Sequence, residues 1–442
     1  MSAGAGFMRA AARGLRFGLC AMLCLAVLSC GDGGGDGGNI TQLNGGNSSS
    51  SSSSNTTAQP GELTTNGNVV NVIVDAGLSP STSPVVNRLY TTVTICPPGS
   101  TTNCVTIDHI QVDTGSSGLR IISSALGSVR LPLQTTSEGE SLMECAQFVA
   151  GYSWGPVATA DVHISGETAS SAPVQVIDGL SIVVPSDCAS IGPALDTVAE
   201  FGANGILGVG VFTADCGTRC ASSQDNGIYY GCSSDTQCNG TTVANDAQVA
   251  NPVSRFATDN NGVIITLPTV AAAGAPTVGG TMIFGIDTEG NNVSGSQTIL
   301  TLDQYGDFTT AFDGQTLNQS FLDTGSSALS FPDSSLPMCT GVEAGLYCPS
   351  STQAFTATLT GQNGGLSSNV SFSVANAQTL IQGGKNLAAF MNLAAAFPTT
   401  IDPGASATGS FDWGLPFFYG KTVYTALDGL STSVGNGPYI AF

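Results

Sequence analysis

The chain has 442 residues, of which 41% are hydrophobic and only 9% charged, with 10 basic against 31 acidic side chains. That length supports two or more domains and a sizeable core. The acid excess excludes nucleic acid as a partner, because a polyanion would be repelled, and past the first 29 residues no apolar run is long enough to span a bilayer.

At the N-terminus Arg9, Arg13 and Arg16 precede an apolar run from Phe17 to Leu28. A basic start with so short an apolar run reads as an export signal over residues 1–29. It closes in Val27-Leu28-Ser29-Cys30, which resembles a bacterial lipobox, so Cys30 is the expected lipidated first residue of the mature chain. An ordinary cleavage site nearby is the alternative. No Asp follows Cys30 directly, so the expected location is the cell envelope, at the outer membrane, with the lipid as the only membrane attachment. Residues 30–65 are Gly, Ser, Asn and Thr with little to bury, and they read as a flexible tether. The signal takes three basic residues and no acids, leaving seven against 31, about −24 net. With so few cations to repel one another once carboxylates protonate, the chain is expected to tolerate acid.

From Asn68 the texture changes to short Val, Ile, Thr and Phe runs between Gly, Pro, Asn and Ser turns, such as Val69 to Val74, Val174 to Ile177 and Val263 to Leu267. This predicts an all-β, mostly antiparallel protein. Helical spacing is clearest from Leu387 to Phe397, where one short amphipathic helix is expected. Ten cysteines remain beyond Cys30, an even number in an exported chain, which reads as disulfides. Cys96 with Cys104 and Cys339 with Cys348 flank short loops and are candidate local pairs. The cluster Cys216, Cys220, Cys232 and Cys238 fits disulfides or a zinc site, and its lack of His favours disulfides of undetermined connectivity.

The segment Asp113-Thr114-Gly115-Ser116-Ser117 recurs as Asp323-Thr324-Gly325-Ser326-Ser327, each time after a short apolar run. Asn204-Gly205-Ile206-Leu207-Gly208-Val209-Gly210 follows the first copy by about 95 positions, and Asp412-Trp413-Gly414-Leu415-Pro416-Phe417 follows the second by about 91. One Asp-Thr-Gly is a common turn. Two copies with matched downstream partners indicate an internally duplicated fold.

At these residues the chain resembles the pepsin-like aspartic protease superfamily, and within it a group of bacterial lipoproteins known as domain of unknown function 3443. The resemblance runs over residues 66–442. It implies a bilobal double-β-barrel with a few short helices, a first lobe at 66–290 carrying a Cys-rich insertion near 212–250, and a second at 291–442. It implies Asp113 and Asp323 as a catalytic pair that shares one proton and activates water. Thr114 and Thr324 would cross-bond beneath them, Gly115 and Gly325 would allow close approach, and Ser116 and Ser326 would hydrogen-bond the carboxylates. The partner implied is an extended peptide or protein bound by a monomer, and no metal or organic cofactor is implied.

Two departures from the pattern stand out. The family covers its cleft with a hairpin bearing a Tyr. Here Phe148 falls in that place, followed by Gly151, with Tyr152 and Trp154 as the substitutes or as packing. Arg120 occupies a slot where the family carries a large aromatic, and is expected to pair with a cleft carboxylate or to lie outward. His109 and His163 stand alone and read as strand residues, and Asp161, Asp287 and Asp412 as turn or strand-end acids. The resemblance implies an acid-active endopeptidase. The alternative is a catalytically silent lipoprotein that keeps the cleft to bind peptide.

Overall fold

The computed structural model describes residues 67–78, 85–383, 386–397 and 409–442. The signal, Cys30 and the tether lie outside them. Strands take 44% of the structure and helices 10%, so the protein is mostly β. Among the described residues no helix is long and apolar enough to cross a membrane.

Six strands close into a barrel in the first half. Around the ring they are Leu89–Cys96, Val105–Asp113, Gly205–Val209, Ser117–Ile122, Glu167–Ile177 and Gly151–Ile164, the last pairing back to the first. The runs are rich in β-branched residues, which pack well on a pleated surface. Their inner face buries Ile95, Ile107, Val112, Leu119, Ile121, Val162, Val174 and Leu207 in one core.

The sheet continues past the barrel through Val69–Val74, Val278–Phe284, Gly262–Leu267, Lys421–Ala426, Tyr439–Ala441 and Ile299–Thr301. This stretch joins the chain's two halves. Gly262–Leu267 pairs along its whole length with Lys421–Ala426 from near the C-terminus.

The two copies of the repeat fold alike. Val105–Asp113 runs parallel to Gly205–Val209, with Asp113 beside Gly208, and Ser117–Ile122 returns antiparallel on the far side of that strand. Gln315–Asp323 likewise runs parallel to Asp412–Gly414, with Asp323 beside Gly414, and Leu329–Phe331 returns antiparallel to it. Both returning strands then pair in parallel with a further strand, Glu167–Ile177 in one half and Ala394–Ala396 in the other. Gly414 has no room for a side chain, since a Cβ there would stand 2.2 Å from the Ala328 carbonyl oxygen.

The second half is a seven-stranded sheet over an aromatic core. Phe331 stacks on Phe411 at 4.9 Å, and Phe411 stacks on Trp413 at 4.0 Å. Phe312, Phe355 and Phe372 pack edge-on around them.

The helix expected over Leu387 to Phe397 does not form. Ala388 donates to Ala275 and Ala389 accepts from it, both at 2.9 Å, and Asn87 takes both backbone groups of Phe390. Ala394–Ala396 is a strand. Partners distant in sequence claim the backbone groups that a helix would have paired internally, so the apolar spacing of Leu387, Phe390 and Ala395 marks burial against Ala328 and Cys339 instead. A helix of seven residues, Ala377–Gly383, lies just upstream.

Among the described residues there are five disulfides: Cys96–Cys104, Cys145–Cys188, Cys216–Cys220, Cys232–Cys238 and Cys339–Cys348. The clustered cysteines pair with one another, which leaves none as a zinc ligand. Among the described residues only one of the cationic side chains, Arg130, is exposed.

Replacing Phe331 by Ala removes the ring at the centre of the aromatic core and is expected to cost about 3–5 kcal/mol, read as a lowered denaturation midpoint with an unchanged slope.

Candidate active site

Each repeat presents its Asp at the end of a strand, where the chain turns sharply before the returning strand begins. In each turn the glycine N–H, at Gly115 or Gly325, donates to the carboxylate two residues earlier at 2.7 Å. The following serine closes on the other oxygen. Ser116 donates to Asp113 Oδ2, and Ser326 donates to Asp323 Oδ2 at 2.8 Å. The two carboxyl groups are thus held the same way by the same local chemistry.

The turns meet through their threonines. The Thr114 N–H donates to Thr324 Oγ1 at 3.1 Å, and the Thr324 N–H donates to Thr114 Oγ1 at 3.0 Å. Each hydroxyl then donates onward across the junction, Thr114 to the Leu322 carbonyl at 3.1 Å and Thr324 to the Val112 carbonyl at 2.8 Å. All four bonds are buried, where pairing matters most because an orphaned polar group costs its full desolvation.

This junction brings Asp113 and Asp323 side by side. A Cβ on Gly115 would fall 2.6 Å from the Asp323 carboxyl carbon, and one on Gly325 would fall 2.7 Å from Asp113 Oδ1. Only glycine leaves room for both carboxyl groups. Burial, and then the Asp323 carboxylate beside it, push the Asp113 carboxyl well above its ordinary value, while the Ser116 and Gly115 donors pull the other way.

Two further residues brace the turns. Gln111 donates to the Gly325 carbonyl at 3.1 Å, reaching from the first strand to the second turn. Asn87 donates to the Ser327 carbonyl at 2.8 Å and accepts from the Tyr419 hydroxyl at 2.9 Å. Gln111 carried a signal, as a polar residue inside the apolar run Ile110-Gln111-Val112. Asn87 carried none.

A family model described as Protein of unknown function (DUF3443) matches residues 64–442. The chain belongs to the DUF3443 family. No curated protein matches the chain. The geometry above therefore describes a DUF3443 member in which the duplicated Asp-Thr-Gly-Ser-Ser turns converge.

The residues expected to form the cover lie in the hairpin of Ser141–Phe148 and Gly151–Ile164. Its aromatics are committed to packing. Phe148 meets Phe201 edge-on at 6.0 Å. Tyr152 is buried, and its backbone pairs with residues 193–195. The Trp154 indole donates to the Ile182 carbonyl at 3.1 Å and meets Tyr230 edge-on at 5.5 Å. Gly151 sits at φ 150°, and a Cβ there would fall 2.1 Å from the Pro193 oxygen. Arg120 is fully buried against Glu144 and Asp215, so the outward placement is overturned. His109 lies between Asp75 and Asp108, and His163 meets Thr168. Asp161 accepts from the N–H groups of Gly99 and Ser171, and Asp287 from Ser294 and Ser433.

Replacing Thr114 or Thr324 by Val orphans a buried N–H and a buried C=O, at a cost of about 1–3 kcal/mol for each orphaned group. The two substitutions break separate pairs of bonds within one contact network, so the double variant is expected to depart from the sum of the singles by about 0.5–3 kcal/mol, read by chemical denaturation.

Linkage supplies a second expectation. Asp113 holds its proton more tightly folded than unfolded, so its contribution is full below the ordinary value near 3.8 and is lost as pH rises through the raised folded value. Asp113→Asn removes that loss. The variant is expected to gain stability relative to wild type at pH about 7 and to show no such gain at pH about 3, by denaturant titration at both.

Proposed function

We propose that this DUF3443 member is an aspartic endopeptidase of pepsin-like bilobal architecture, active in acid. The observation that carries this reading is the meeting of Asp113 and Asp323, each held by its own glycine N–H and serine hydroxyl, above the crossed threonines. Like charges so close cannot both ionise cheaply, so the pair retains one proton in mild acid. The ionised carboxylate takes a proton from a water held between the two, and the protonated one polarises the scissile carbonyl. An extended peptide would lie across the pair and bond its backbone to strand edges. One chain supplies both acids, so a monomer suffices. The export signal and Cys30 fit attachment by lipid at the outer membrane, with residues 30–65 as spacer.

One observation favours a second reading. Phe148, Tyr152 and Trp154 are all engaged in packing, which leaves the cleft without the mobile aromatic cover expected from the resemblance. A silent peptide-binding protein would need no such cover.

The purified protein, offered denatured protein substrate between about pH 3 and 6, is expected to cleave it, and Asp113→Asn or Asp323→Asn to reduce turnover about 10⁴-fold or more. Activity that survives either substitution rules out the peptidase. Equal peptide binding by wild type and Asp323→Asn, with cleavage by neither, establishes the silent reading.

A further inference from the structure

The first half buries a second group of acids that the catalytic pair does not use. Arg120 stands in the strand that leaves the first active turn, and no part of its side chain reaches solvent. Its Nε and Nη2 donate to Glu144 Oε1 at 3.2 and 2.6 Å, and Nη2 also reaches Asp215 Oδ2 at 3.2 Å. Its Nη1 donates to the Ser117 carbonyl at 3.1 Å. The Tyr229 hydroxyl donates to Asp215 at 2.7 Å and accepts from the Val249 N–H at 2.8 Å. Gln175, also buried, donates to the Glu144 carbonyl at 2.8 Å.

These contacts join segments of different roles. Ser117 is the last residue of the first Asp-Thr-Gly-Ser-Ser turn. Glu144 is on Ser141–Phe148, the hairpin strand that lies between Gly151–Ile164 and Tyr229–Ser234. Asp215 and Tyr229 belong to the Cys-rich insertion. The insertion also extends the hairpin, giving the strand order Gln237–Gly240, Tyr229–Ser234, Ser141–Phe148, Gly151–Ile164. Cys145 of the hairpin is bonded to Cys188. The hairpin is therefore continuous with the insertion on one side and the barrel on the other, rather than a free arm.

Stability alone is a poor explanation for the arrangement. One cation and two carboxyls in a dry interior cost more to desolvate than a well-packed apolar group of the same size. Burial holds the Glu144 and Asp215 carboxyls above their ordinary values against the pull of Arg120, so the group balances its charge by keeping a proton. What a rigid guanidinium fork does, and an apolar chain does not, is fix three acceptors at set distances from one plane.

We propose that Arg120 is a positioning residue, whose guanidinium sets the covering hairpin and the insertion at a fixed height above the Asp113 turn. The proposal rests on the cleft described under the proposed function and goes beyond it, since it makes the cover a fixed wall. A fixed wall contacts bound peptide before and during reaction alike, so its loss falls on substrate binding and not on the chemical step.

The test compares wild type with Arg120→Lys and with the charge-balanced variant Arg120→Met/Glu144→Gln/Asp215→Asn, which leaves no unpaired buried charge. Three readouts are taken on folded protein: kcat and KM on a peptide substrate, the Kd of a statine-containing peptide, and amide hydrogen exchange over residues 141–164. The charge-balanced variant is expected to raise KM and Kd about 10-fold with kcat within about threefold, and to speed hairpin exchange about 10-fold. Arg120→Lys is expected to recover only part, because a point charge cannot span three acceptors. Unchanged KM, Kd and exchange in the charge-balanced variant, with only the melting temperature lowered, overturns the proposal. If wild type neither cleaves nor binds the statine peptide, the peptidase reading fails by itself, and the exchange measurement still decides whether Arg120 fixes the hairpin.

Discussion

Four hydrogen bonds made by Thr114 and Thr324, two to each other and two to the Leu322 and Val112 carbonyls, hold this molecule's two halves in register. Each threonine lends its hydroxyl oxygen to the other's N–H and sends its own proton to the strand beyond. The set is closed and dry, so it cannot slip by one residue without orphaning several buried groups. The placement of the two aspartates follows from it. They sit one residue before the threonines on matching strands, and two glycines clear the space between them. Gln111 and Asn87 add bonds from the first half onto the second turn, so the junction is braced on more than one side.

The two halves are alike in plan and unlike in detail. Both carry a strand, a sharp turn, and a returning strand separated from the first by a later segment. The first half then builds a closed barrel and adds the Cys-rich insertion, while the second builds a sheet over stacked aromatic rings. Four of the five disulfides lie in the first half, most of them in or beside the hairpin and its extension. The second half is held by ring packing instead.

Much of the site was legible because its chemistry is local. The repeated Asp-Thr-Gly-Ser-Ser predicts its own hydrogen bonds, and the segments at Gly205 and Asp412 were marked by matched spacing. Cys96–Cys104 and Cys339–Cys348 were readable for the same reason, since the partners are eight and nine residues apart. What escaped was non-local. The pairing of Ala394–Ala396 with Leu329–Phe331 overrides a helical pattern that the local sequence favours. Cys145 finds Cys188 across 43 residues. The partners of Arg120 lie 24 and 95 residues away, and only the oddity of a charge in an apolar run hinted at them. The hairpin aromatics were ambiguous because strand packing and ligand contact draw on the same residue types.

The scarcity of basic residues has an effect on the chain's own survival. Arg88, Arg219, Arg255 and Lys421 are at least partly covered, Arg120 is wholly enclosed, and Arg130 stands alone at the surface of the described residues. Enzymes that cut after Lys or Arg must wait for the fold to open before most of these bonds come within reach. Among the described residues it is where the few cations lie, rather than overall stability, that keeps trypsin-like attack away.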